Sequence, residues 1–277
     1  MRQQRTLRHA IGCAGVGLHS GARVALTLRP AAEGSGIRFR RVDRPGSPII
    51  PARVHNLVVA DGRVGLEHHS GARVQMIEHL LAALSVCEID NLLIDISAPE
   101  LPAMDGSARP FVLLIECAGT VEQDQPVPRF ELLQPITVSS SAGYAKLEPA
   151  RRLELVVDVP PGMQGRPFAI TVSPEACKSD LADARAASVV GAPRSDGLAN
   201  DAARYEALVA LGALALVPAK VDARYVARGA DAALRCQLLR RLLADHGKWR
   251  LTGSAGQATG WRHAATTAAM AHLAHVS

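Results

Sequence analysis

Short apolar runs separated by turn signals occupy the first half of the chain. Residues 23–28 alternate apolar and polar side chains, which predicts a half-buried strand, and residues 36–40 and 92–96 predict two more. Between them Val74, Ile77, Leu81 and Leu84 recur at helical spacing, so residues 75–86 are predicted as an amphipathic helix. A second helix is predicted over residues 110–117, where Pro110 suits a first-turn position, Ser107 can cap and Gly119 supplies the stop. The polar stretch 122–129, with Pro126 and Pro128, reads as a linker. Beyond it residues 130–138 and 153–159 read as strands, and 180–187, 231–245 and 264–275 as helices. Each half runs strands and then helix, which predicts an α+β fold of two tandem domains, residues 1–121 and 130–277 joined by the linker 122–129.

A chain of 277 residues buries a substantial core without disulfides or structural metals. Aromatic residues make up only 3%, so Leu, Val, Ile and Ala must supply the packing. Alanine is uneven: 20 fall in residues 1–180 and 27 in residues 181–277, a change of composition inside the second half. The net charge of +5 rests on arginines scattered singly, with only Lys146, Lys178, Lys220 and Lys248 as lysines. Without a basic run or interleaved aromatics, this argues against nucleic acid and fits a phosphorylated small molecule or, at most, peripheral contact with an anionic membrane face. Cys13, Cys87, Cys117, Cys177 and Cys236 are odd in number and widely spaced, as free thiols of a reducing cytosol would be. No apolar leader follows Met1, and the longest apolar run, 207–218, is too short to span a bilayer, so a cytoplasmic protein is expected.

Candidate chemistry begins with Glu78 and His79. Adjacent on a helix, they point about 100° apart, which suits a metal site where the histidine ligates and the glutamate handles the proton of a bound water. Alone, the pair is most often solvated surface. The stretches Gly15-Val16-Gly17-Leu18-His19-Ser20-Gly21, Ile77-Glu78-His79-Leu80, Ile89-Asp90-Asn91 and Ala98-Pro99-Glu100-Leu101-Pro102-Ala103-Met104-Asp105-Gly106-Ser107-Ala108-Arg109-Pro110-Phe111-Val112 change that reading. In this order they closely resemble the UDP-3-O-acyl-N-acetylglucosamine deacetylase family of lipid A biosynthesis. The resemblance implies two domains, each a two-layer α/β sandwich, with the site at their interface. It implies zinc as cofactor, a UDP-linked acylated amino sugar as substrate, and a monomer. His79 becomes a zinc ligand, Glu78 the general base, Asp105 an orienting acid, and Leu18 a substrate contact; His263 is the counterpart of a late catalytic histidine.

The remaining ligands should be a histidine and an aspartate four residues apart on a second-domain helix. Aligned on Leu234, Leu238, Leu239, Leu242 and Leu243, those positions hold Cys236 and Arg240. A thiolate can ligate zinc, whereas a guanidinium offers no lone pair. Its charge about 4 Å from a divalent ion would repel it by on the order of 8 kcal/mol at an effective dielectric of ~20. Residues 184–189 also lack the family's threonine and phenylalanine, Gln237 replaces a lysine, and Ala244 replaces an acid. Zinc, expected from the family, is therefore expected to be weakly held or absent, with Cys236 the tentative second ligand. Two arrangements stay open: a shifted register in which His246 or His263 approaches His79, or Arg240 standing in for the metal and pairing with Glu78. The corresponding functions are an active deacetylase with an altered ligand set, or a relative with impaired or lost deacetylation. His9, His55, His68, His69, His272 and His275 read as surface or loop residues.

Overall fold

The computed structural model describes residues 2–60, 62–158, 167–185 and 198–253, with backbone alone for 198–201. Strands β2 (Ile11–Val16), β3 (Arg23–Pro30), β4 (Ile37–Arg41), β5 (Ile49–Pro51) and β9 (Leu92–Ile96) form a five-stranded sheet in the order β2-β3-β9-β4-β5. In β3 the alternation read from sequence places Val24, Leu26 and Leu28 inward. A three-stranded meander of β6 (Leu57–Ala60), β7 (Arg63–Glu67) and β8 (Arg73–Gln75) leads into helix α1 (Glu78–Val86), and α2 (Arg109–Ala118) follows β9. Gly119 ends α2 at φ +67°.

Helix α1 starts later than its periodicity suggests. Val74 belongs to β8, and Met76 takes φ +58°, which turns the chain between strand and helix. Nor is α1 amphipathic: Leu80, Leu81, Ala82, Ala83 and Leu84 are all buried. A helix apolar on every side sits inside a protein, and α1 packs against α2 on one side and a second-domain helix on the other.

The expected linker is mostly a strand. Residues Thr120–Pro126 form β10, which pairs antiparallel with β1 (Gln3–Leu7), so only Val127 and Pro128 separate it from β11 (Arg129–Leu132). The single strand read over 130–138 is divided at Pro135 into β11 and β12 (Ile136–Ser139), because proline cannot donate to a ladder. The second sheet adds β13 (Tyr144–Pro149), β14 (Glu154–Asp158), β15 (Phe168–Thr171), β16 (Lys220–Arg228) and β17 (Trp249–Thr252). Its spine is β16, which pairs with β11 and β14 in parallel and with β13 antiparallel. The helix expected at 180–187 lies earlier, as α3 (Pro174–Asp180), capped by Ser173 Oγ accepting from the Ala176 amide. The helix at 231–245 is present as α5 (Ala232–Ala244), with Asp231 as its N-cap. That at 264–275 lies outside the described residues.

Periodicity gave no signal for α4 (Leu198–Leu214), yet this helix lies against α1. Ala203, Ala207, Leu208, Ala210 and Leu211 are buried along it, and at Gly212 the two backbones come together. At Gly212 an added Cβ would stand 2.2 Å from the Glu78 carbonyl oxygen. Gly212→Ala is accordingly expected to cost about 1–3 kcal/mol by overpacking. Urea unfolding would measure it, and an unchanged midpoint would mean that α1 and α4 have room to spare.

Candidate active site

The first turn of α1 carries Glu78 and His79 into the space between the halves. Glu78 is 8% exposed. Burial raises its carboxyl above the ordinary glutamate range, opposed by its own main-chain amide and by the charge of Arg235. Arg235, on α5, is itself buried and donates through Nη1 to Glu206 Oε2 at 2.6 Å and to the Ala230 carbonyl at 2.6 Å. Glu206 comes from α4, so this part-buried ion pair ties α4 to α5.

The His79 ring lies 5.6 Å from that of Tyr205 on α4, centroid to centroid. Its Nε2 is buried with no hydrogen-bond partner among the described residues. Burial lowers the His79 pKa to about 4, with the Asp105 carboxylate opposing. A neutral imidazole thus keeps a buried nitrogen without a partner among the described residues.

Asp105 is held from both halves. One oxygen accepts from the Ser107 amide at 2.9 Å and the Ser107 hydroxyl at 2.7 Å, and the other from Arg185 at 2.6 Å. Burial pushes its pKa up, but these donors outweigh it and hold the carboxyl below the ordinary aspartate value. Leu18 stands 48% exposed on the turn at 17–21. Glu78, His79 and Asp105 are therefore brought into one neighbourhood, while His263 lies outside the described residues. Sequence reasoning missed Tyr205, Glu206 and the pairing roles of Arg185 and Arg235. All four lie in alanine-rich or irregular sequence without a motif; only Arg235, a charge among the buried leucines of α5, gave a signal.

Comparison with known proteins places this half-site in a family. A sequence model of the LpxC family, UDP-3-O-acyl N-acetylglycosamine deacetylase, matches residues 4–210. The chain belongs to this deacetylase family. It is 36% identical to the UDP-3-O-acyl-N-acetylglucosamine deacetylase of Thermosynechococcus vestitus, over 86% of this chain and 93% of that protein. To the proteins of the same name from Methylococcus capsulatus and Neisseria gonorrhoeae it is 47% and 43% identical, over 54% and 53% of this chain and 49% and 48% of theirs. The higher identities thus extend over about half of each protein.

The second-domain half of the deacetylase site does not fit the metal implied by the resemblance. Among the described residues no group of three His, Cys, Asp or Glu side chains converges. Cys236 is buried, and burial pushes its thiol up to about 11. Arg240 lies on the exposed side of α5 and donates to the Leu57 carbonyl at 2.8 Å. It forms no ion pair with Glu78, whose cationic neighbour is Arg235, so the expected Arg240–Glu78 pairing is corrected. The exposed face of α5 directs the long guanidinium to the first-domain meander instead. His246 packs on Trp249 at 5.5 Å, outside the site. A cavity of about 210 Å³ lies toward the other end of α1 between Leu84, Glu88, Asn91, Leu214 and Lys220, and none of the expected site residues lines it.

The Asp105 carboxylate offers a titration test. Its folded pKa is depressed, so its stabilising effect is fully present above the unfolded value and is lost as pH falls through the folded one. The stability difference between the natural protein and Asp105→Asn should therefore shrink as urea unfolding is moved from neutral pH into the acid range. A difference independent of pH would remove Asp105 from the ion pair.

Proposed function

We propose that this chain is a lipid A biosynthesis homologue of the UDP-3-O-acyl-N-acetylglucosamine deacetylases in which zinc-dependent deacetylation is impaired or lost, and that it binds the UDP-linked acylated amino sugar as a cytosolic monomer. Residue 240 carries the reading. A position that should supply a ligand holds a cation turned to the Leu57 carbonyl, and the neighbouring ligand position is a cysteine buried in the core. The first-domain half supports retained binding: the turn bearing Leu18, the Asp105 loop and the first turn of α1 are all in place. These residues recognise and orient the ligand.

A second reading, an active zinc deacetylase with an altered ligand set drawing on His79 and Cys236, is favoured by the unpartnered Nε2 of His79. Metal analysis of the purified protein beside a Cys236→His, Arg240→Asp double variant separates the two. The parent is expected to hold far less than one zinc per chain and the variant to gain it. Calorimetry of the parent should then detect the UDP-acyl-sugar without acetate release. One tightly held zinc per parent chain, with acetate release abolished by chelator, would establish the second reading and sink the first.

A further inference from the structure

The Gly17–Gly21 turn is held by a side chain with no assigned task. Glu100 is 2% exposed, yet one carboxylate oxygen accepts from the His19 amide at 3.0 Å and the other from the Ser20 amide at 2.8 Å. The Ser20 hydroxyl adds a third donor. Burial alone would raise this carboxyl; the three donors hold it below the ordinary glutamate range, so it stays an acceptor. The turn is built around it. At Gly17 an added Cβ would stand 2.3 Å from Ser20 Oγ and 2.7 Å from Glu100 Oε2, and Gly21 takes φ +63°. Main-chain bonds from the Gly17 amide to Ala22 O and from the Gly21 amide to Gly17 O close it.

The segment bearing Glu100 reaches in two other directions. The Gln75 amide donates to Pro99 O and the Leu101 amide to Gln75 O, which joins the segment to the end of β8 three residues before Glu78. The Ala103 amide donates to Val16 O, and the chain then turns at Met104 into Asp105. One residue thus sits where the turn, the entrance to α1 and the Asp105 loop meet. On the outside of the turn Val16 and Leu18 are 51% and 48% exposed, two large apolar side chains beside the site.

We infer that Glu100 is a positioning residue, whose buried carboxylate fixes the 17–21 turn so that Leu18 and Val16 present an apolar surface to the ligand beside Asp105. The ligand part rests on the binding reading proposed above; the fixing of the turn does not. Glutamine in its place would turn an NH2 group toward amide donors and lose charge-assisted bonds.

Native-state hydrogen exchange tests the geometry. In the natural protein the His19 and Ser20 amides, although in an exposed turn, should exchange about 100-fold or more slower than free peptide. In Glu100→Gln their protection should fall by about tenfold or more, while amides of β3 and β9 change by less than about twofold. Unchanged protection in the variant, or free-peptide rates in the natural protein, would overturn the inference. The natural-protein measurement decides even if the variant does not fold. Calorimetry with the UDP-linked acyl sugar should show about tenfold weaker binding by Glu100→Gln; a loosened turn with undiminished affinity would also overturn it. If the natural protein itself binds no sugar, the binding reading and the presentation of Leu18 to ligand fall together, and the exchange data still decide whether Glu100 fixes the turn.

Discussion

The close approach of α4 to the first turn of α1 governs where Glu78 and His79 can stand. Glu78 contributes its backbone to that contact and its side chain to the site, so the packing that buries α1 also fixes where the carboxylate starts. Gly212 makes the approach possible. Tyr205 and Glu206 reach the site from the same helix, so a displacement of α4 would shift the wall beside His79 and the anion that neutralises Arg235 together.

One guanidinium, that of Arg235, faces two carboxyl groups, Glu78 and Glu206, both pushed upward by burial. Leaving a buried ion without its partner is costly. The half-exposed Glu206 supplies that partner to the buried Arg235, while the more exposed Arg240 joins the first-domain meander.

The α+β class was legible in the strands at 23–28 and 92–96 and in α5, because alternation and leucine spacing are direct records of burial. Glu78, His79 and Asp105 were legible because they sit in motif-rich loops and a helix start, where backbone and chemistry constrain the same residues. The α1–α4 contact was not. A helix buried on all sides has no polar face to reveal its period, as α1 shows, and the alanine-rich sequence of α4 first read only as a compositional excess. At Ala203, Ala207 and Ala210 that excess forms a buried face of α4 opposite Gly212. Strand β10 was hidden by polar side chains and prolines, since a two-stranded ribbon at the surface needs little apolar alternation. Direction was the other blind spot: the leucines correctly placed Arg240 one helical turn beyond Cys236, but only the packed structure reveals that its guanidinium turns toward Leu57.

Each half of the fold also pairs strands that lie far apart in sequence. Strand β1 is held by β10, with Thr6 opposite Val121, and β11 is held by β17, with Phe130 opposite Leu251. Domains emerging from a ribosome fold as units, the N-terminal one first, and contacts distant in sequence form slowly because a long loop must be closed. The first half can complete its sheets as soon as β10 has been made. Helix α1 then waits with an apolar side uncovered until α4 has been synthesised. For that interval the nascent chain exposes the very surface that will later hold its two halves together.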